Sequence, residues 1–303
     1  MAVHVLLLAG FLAGPLAASS FTSETIRAGG RTRTYDVYAP SGPARGLAAV
    51  FVLHGGGMSG KQVRRYTLGR FEGLAEKKGF LVVYPDAFGK YWNAGIEMVY
   101  PAAREGVDDT AFLGAVTERL VKERGVDRRR LYAVGISNGA VMVHRLACED
   151  AGRWAAVAAL EGAFGAETAA ACRPTRPVPV LMVHGTADHI LSWEGRTANM
   201  VLTQIGSRLT VPETTAKWVA LDGCAPGPAA SDLPDTHPAD GTRWHLTAWR
   251  RCRGGAEVLF YKVDGGGHTW PNGRPDLQFV TGRVSRDVDI EPLLWSFLAR
   301  HRA

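Results

Sequence analysis

Ser137 stands at the centre of Gly135-Ile136-Ser137-Asn138-Gly139, a G-x-S-x-G pattern that follows the apolar run Leu131–Val134 and opens the helical stretch Ala140–Cys148. That strand–turn–helix setting is what a nucleophile elbow requires, because the sharp turn forces the hydroxyl outward and the flanking glycines allow close backbone approach. A serine hydroxyl is a poor nucleophile until a base takes its proton, and that base is usually a histidine oriented by a carboxylate. Downstream, Val180–Val183 runs into His184-Gly185-Thr186-Ala187-Asp188, and Val258–Val263 runs into Asp264-Gly265-Gly266-Gly267-His268. The chain order Ser137, Asp188, His268, each just past a strand, is that of a hydrolase triad. His184 directly ends a strand and reads as a local hydrogen-bonding group. His54, His189, His237 and His245 lack the strand-end context in the right order, and Asp264 reads as the start of its turn.

Acyl transfer also needs backbone N–H groups aimed at the developing oxyanion. Asn138, the residue after the nucleophile, should supply one. The other should come from Leu53-His54-Gly55-Gly56-Gly57, with Gly56 the first choice and Gly57 next. A phosphate-cradling loop is the competing reading, but no G-K-[ST] follows and no G-x-G-x-x-G precedes a ribose-binding acid. No metal-ligand constellation is apparent, and this chemistry needs neither metal nor cofactor.

The elements that must hold these groups alternate. Strands are expected over Thr34–Tyr38, Ala48–Leu53, Phe80–Tyr84, Leu131–Ile136, Ala155–Leu160, Val180–Val183 and Val258–Val263. Several are continuous apolar runs, as expected for strands covered on both faces. Helices are expected near Lys61–Lys78, Asp109–Arg124, Asn138–Cys148, Val211–Leu221 and Glu291–Arg300, with Asp109 as an N-cap. This rhythm implies an α/β fold with a mostly parallel sheet flanked by helices. Residues 225–242, rich in Pro, Gly and Asp, interrupt it and read as an ordered loop between Cys224 and Cys252.

Among 303 residues, 46% are hydrophobic and 21% charged, which excludes a disordered chain. The net charge of +6 comes with scattered arginines and no basic helix, so nucleic-acid binding is not expected. The apolar run Val5–Ala18 is too short to cross a bilayer but suits a signal peptide cleaved between Ala17 and Ser20, although only His4 stands where Lys or Arg is usual. Residues 1–20 are therefore read as a leader and 21–303 as a single catalytic domain, exported and off the membrane once cleaved. No obligate protein partner is inferred. The four cysteines, Cys148, Cys172, Cys224 and Cys252, contain no C-x-x-C pair, which excludes a zinc ribbon or thioredoxin motif. They allow three connectivities; the sequence-local one joins Cys148 to Cys172 and Cys224 to Cys252.

Taken in order, Leu53–Gly57, Val82–Asp86, Trp92–Gly95, Val107–Asp109, Gly135–Gly139, Leu146–Glu149, His184–Asp188 and Gly266–Pro271 resemble the secreted polyhydroxybutyrate depolymerase-like esterases, a group that includes feruloyl and acetylxylan esterases. The resemblance runs from about Arg33 to Arg300. It implies an α/β-hydrolase fold, a triad of Ser137, Asp188 and His268, an ester substrate, and paired cysteines corresponding to the sequence-local pairing. Trp92 and Trp270 are candidates for the acyl pocket wall, with purely structural tryptophans the alternative. Three departures stand out. Ala140 replaces a glycine common after S-N-G. Gly56 stands where polyester-degrading members often carry cysteine. Asp188-His189-Ile190-Leu191-Ser192-Trp193 replaces a stretch closer to D-P-I-V-P-Y. A serine peptidase of the same fold, a catalytically silent binding protein built on it, and an acyltransferase in which an alcohol outcompetes water are the rival functions.

Overall fold

The computed structural model describes residues 18–42, 46–95, 101–195, 207–274 and 278–303. Most of the expected leader thus lies outside the described residues. The elements in chain order are β1 (Ser20–Ala28), β2 (Arg31–Ala39), β3 (Ala48–Leu53), α1 (Gly60–Tyr66), α2 (Arg70–Lys78), β4 (Phe80–Pro85), α3 (Pro101–Arg104), α4 (Asp109–Arg124) and β5 (Leu131–Ile136). They continue with α5 (Asn138–Glu149), β6 (Ala156–Leu160), α6 (Ala166–Ala171), β7 (Val180–Gly185), α7 (Val211–Leu221), β8 (Ala229–Asp232), β9 (Arg243–Trp249), β10 (Val258–Asp264), α8 (Gln278–Thr281) and α9 (Ile290–Leu298).

All ten strands form one sheet in the order β1-β2-β4-β3-β5-β6-β7-β10-β9-β8. From β4 to β10 every neighbouring pair is parallel, while the flanking strands are antiparallel. The expected mostly parallel sheet is present. Side chains alternate across each strand, so the continuous apolar run of β3 serves two cores. Ala49, Phe51 and Leu53 pack with Phe112 of α4, Leu146 of α5 and Trp218 of α7. Ala48, Val50 and Val52 pack with Val63 of α1, Phe71 of α2 and Leu294 of α9 on the other face.

Three local expectations need correction. The helix read over Lys61–Lys78 is two, because Leu68 (φ 57°) and Gly69 (φ 65°) turn left-handed between α1 and α2. The N-cap of α4 is Asp108, whose side chain accepts from the Ala111 N–H at 2.8 Å. Asp109 instead is fully buried and holds Arg33 at 2.6 Å. Residues 229–232, expected as loop, form an edge strand on β9. The β8–β9 segment is closed by Cys224–Cys252, and Cys148–Cys172 ties the end of α5 to the chain after α6. The sequence-local pairing is therefore the one observed.

Candidate active site

The loops that follow β3, β5, β6, β7 and β10 leave the same edge of the sheet, and these five strands are neighbours in space. The carboxyl ends of parallel strands are where open α/β sheets hold their ligands. The oxyanion candidate, nucleophile, acid and histidine read from the sequence thus converge on one rim.

Ser137 has φ 58° and ψ −125°, a backbone conformation that non-glycine residues rarely adopt. Its N–H is held by the Leu160 carbonyl at 2.9 Å, so the end of β6 fixes the apex of the turn. The turn is that sharp only because residue 139 lacks a side chain: a Cβ there would lie 2.5 Å from the Leu53 carbonyl oxygen. Ala140, the departure from the family pattern, is accommodated because Gly162 faces its methyl.

Asp188, after β7, and His268, after β10, meet each other. The Asp188 Oδ2 lies 2.7 Å from His268 Nδ1, and both side chains are buried. The Asp188 Oδ1 accepts from the Ile190 and Leu191 N–H groups, each at 2.8 Å. Burial alone would raise this carboxyl, but the adjacent His268, its hydrogen bond, His184 and the Leu191 N–H hold it below the usual carboxylate range. The bond to Asp188 occupies His268 Nδ1 and leaves Nε2 as the ring's other nitrogen. His184 does what the sequence suggested: its Nε2 bonds the Leu191 carbonyl at 2.9 Å, inside the acid loop.

The glycine loop after β3, which carries the oxyanion candidate, is fixed by an inward-facing histidine. His54 Nε2 accepts from the Ala87 N–H at 3.0 Å and its Nδ1 lies 2.8 Å from the Gly55 carbonyl, which sets the Nδ1–H tautomer. Burial pushes this ring down to about 4, so it is neutral at ordinary pH. Gly57 gives its N–H to the Lys90 carbonyl at 2.9 Å, which favours Gly56 over Gly57 as the donor facing substrate. Tyr91 covers Gly56: a Cβ at that position would stand 2.6 Å from Tyr91 Cε1. Tyr91 was not singled out by the sequence, since nothing in its spacing ties it to the glycine loop.

Trp92 and Trp270 are not exposed to any ligand. Their exposures are 1% and 0%. The Trp92 indole donates to the His54 carbonyl at 2.9 Å, and that of Trp270 donates to Glu291 Oε1 at 2.8 Å. The expectation that they line the acyl pocket is corrected: both brace loops from behind. An open aromatic does stand nearby. Trp193, with Thr186, Asp188, His189, Ser192, Glu194 and Lys262, lines a cavity of about 520 Å³. It ends the stretch Asp188–Trp193, which the sequence sets apart from the D-P-I-V-P-Y pattern of the resembled group.

The fold and the site together define an esterase of the α/β-hydrolase type. Residues 33–224 match the family described as Esterase PHB depolymerase, and the chain belongs to that family. It is a carboxylic-ester hydrolase. It is 31% identical over 294 residues to NocK of Nocardia uniformis subsp. tsuyamanensis, a protein named as an esterase, with 94% of this chain and 84% of that protein covered. Feruloyl esterase B of Piromyces equi is 26% identical over 67% of this chain and 36% of its own length. The bifunctional acetylxylan esterase/xylanase XynS20E of Neocallimastix patriciarum is 27% identical over 85% of this chain and 34% of its own. The chain thus spans about a third of those two longer proteins. An acetyl xylan esterase from Aspergillus awamori superposes with a TM-score of 0.60 at 16% identity, covering 92% of this chain and 99% of that one. A ferulic acid esterase from Anaeromyces mucronatus superposes with a TM-score of 0.52 at 13% identity, covering 86% and 88%. At these identities the two structures speak to the fold alone.

Proposed function

We propose that the chain is a secreted serine esterase that removes acyl groups from polysaccharide, acetyl or feruloyl, through a triad of Ser137, Asp188 and His268. The observation that carries this reading is the buried 2.7 Å contact between Asp188 and His268, on the same edge of the sheet as a serine held in a strained elbow. His268 Nε2 takes the Ser137 proton as the hydroxyl attacks the ester carbonyl. The N–H groups of Asn138 and Gly56 receive the oxyanion, a stabilisation commonly of about 3 kcal/mol per donor. His268 then protonates the leaving alcohol and activates water for deacylation, while Asp188 holds its tautomer.

Two observations favour a polysaccharide acyl ester over a polyester. Tyr91 occupies the space above Gly56 that a cysteine of the polyester-degrading type would need. The cavity beside Asp188 combines hydroxyl, carboxylate and ammonium groups with one indole, a lining suited to a hydroxylated sugar. The feruloyl and acetylxylan names among its relatives agree. Two disulfides fit an oxidising compartment, and among the described residues no helix is long and apolar enough to cross a membrane. The test is turnover of methyl ferulate, acetylated xylan and 3-hydroxybutyrate oligomers side by side. Preference for either of the first two is expected; preference for the oligomers would overturn the substrate reading while leaving the triad standing.

A further inference from the structure

Directly after β6, the strand between nucleophile and acid, stands Glu161, a buried carboxyl that the triad chemistry above does not use. It is 2% exposed and has φ 49°, a left-handed conformation rare outside glycine. Its backbone N–H is held by the Val183 carbonyl at 2.9 Å, and its Oε2 accepts from the Gly185 N–H at 2.9 Å. The chain is thus turned inward against its own preference, and the carboxyl is delivered beneath the acid loop. There, ligand atoms of Glu161, His184 and Asp188 all lie within 4.8 Å of one another.

Two carboxyls this close and this buried cannot both ionise. Asp188 is built to hold the charge: it has two backbone N–H donors and the His268 ring. Glu161 has the single Gly185 N–H. His184 directs its Nε2 to the Leu191 carbonyl, which leaves its Nδ1 3.9 Å from Glu161 Oε2, too far for a hydrogen bond. Arg208, the buried cation of this cluster, acts on Asp188. The proton of the pair therefore belongs on Glu161.

We propose that Glu161 is a positioning residue, a neutral carboxylic acid that donates its proton as a hydrogen bond to the Asp188 carboxylate and so fixes the acid of the triad for His268. Burial first, then the Asp188 charge and their mutual hydrogen bond, push Glu161 well above the usual carboxylate range, in keeping with this role. A neutral donor holds Asp188 without adding a second negative charge behind His268. An ionised Glu161 would instead add that second charge and move the acid limb of activity upward. Gly162, next in the chain, lies against the Ser137 carbonyl, so the Glu161-Gly162 pair packs against acid loop and nucleophile turn at once.

The inference rests on the triad reading and is tested apart from it. Wild type, Glu161→Gln and Glu161→Ala are first titrated with a fluorophosphonate, and rates are referred to labelled sites only. Glutamine is a neutral donor that also keeps an acceptor for Gly185. It should hold kcat within about threefold of wild type with the acid limb of the pH profile unmoved. Alanine leaves Asp188 and the Gly185 N–H without their partner and should lower kcat by about tenfold to a hundredfold at unchanged KM. A Gln variant whose acid limb drops by about half a pH unit or more would show that a charge had been removed, and would overturn the proposal. Wild-type kcat in labelled Glu161→Ala would overturn it as well. Should the alanine variant not fold, the Gln profile decides alone. Failure of the triad reading has a different signature, wild-type enzyme that takes no label at all.

Discussion

Trp92 and Asn138 exchange a pair of hydrogen bonds across the floor of the site. The Trp92 N–H donates to Asn138 Oδ1 at 2.7 Å, and Asn138 Nδ2 donates to the Trp92 carbonyl at 3.3 Å. The residue that follows Ser137 is thereby tied to the segment that lays Tyr91 over Gly56. The two proposed oxyanion donors, Asn138 and Gly56, are thus linked through this one amide. Asn138→Ala keeps the backbone N–H but strips both partners from Trp92. We expect a loss of about 1–3 kcal/mol in stability and a fall in kcat with little change in KM. Urea denaturation and steady-state kinetics on a p-nitrophenyl ester check both; unchanged kcat would sever the link between this clamp and the oxyanion hole.

Strain at the elbow is separable from chemistry. Ser137→Ala and Ser137→Gly should both abolish turnover, yet only glycine relieves a φ of 58°. Backbone strain of this kind is of order 1–3 kcal/mol, part of which glycine returns as chain entropy. The glycine variant should melt at least about 2 °C above the alanine variant. Equal melting temperatures would mean that the turn stores no strain.

What was legible in the sequence follows from what burial does to a pattern. Strands β3 and β5 and helices α4 and α7 were readable to the residue, because strands covered on both faces become unbroken apolar runs and amphipathic helices keep a period. Strand β1 was missed: it alternates exposed and half-buried residues and reads Ser-Phe-Thr-Ser-Glu-Thr, with Phe21 itself exposed. Fully exposed β8 left no signal at all. The placement of Ser137, Asp188 and His268 past neighbouring strands, and the contact of the last two, were legible because each follows an apolar strand with glycine in the turn. Glu161 and Tyr91 were not, since what matters about them is a partner far along the chain. Trp92 and Trp270 show the reverse error, where an aromatic beside a motif was read as pocket and proves to be scaffold.

Tyr91 and Gly56 should be energetically coupled. Gly56→Ala forces the Tyr91 ring aside and displaces the proposed donor, for which a loss of about tenfold to a hundredfold in kcat is expected. Removing the ring in the double variant Gly56→Ala/Tyr91→Ala should return part of that loss. Simple additivity of the two single losses would show that the ring does not set the position of residue 56.

Buried ionisable groups pull stability in opposite directions with pH. Burial pushes His54 and His144 down to about 4, so their contribution is full above about 6.5 and is lost as pH falls through 4. Burial pushes Glu291 up to about 7, so its contribution is full below about 4.5 and is lost as pH rises through 7. Glu291→Gln keeps the acceptor for the Trp270 indole and removes only the second trend. Relative to wild type, the variant should gain up to about 3 kcal/mol between pH 4.5 and pH 8. Urea midpoints at the two pH values measure that difference, in which any pH-independent effect of the amide cancels; a constant offset between the proteins would contradict the assignment.

The central claim is that Ser137 is the nucleophile of an acyl-enzyme. The most direct measurement is the site and stoichiometry of fluorophosphonate labelling in wild type and Ser137→Ala, read alongside turnover of methyl ferulate. One label per chain is expected, on Ser137, with labelling abolished in the alanine variant and turnover reduced by about 10⁴-fold or more. Label on another residue, or a Ser137→Ala enzyme that still hydrolyses the ester at wild-type rate, would contradict it.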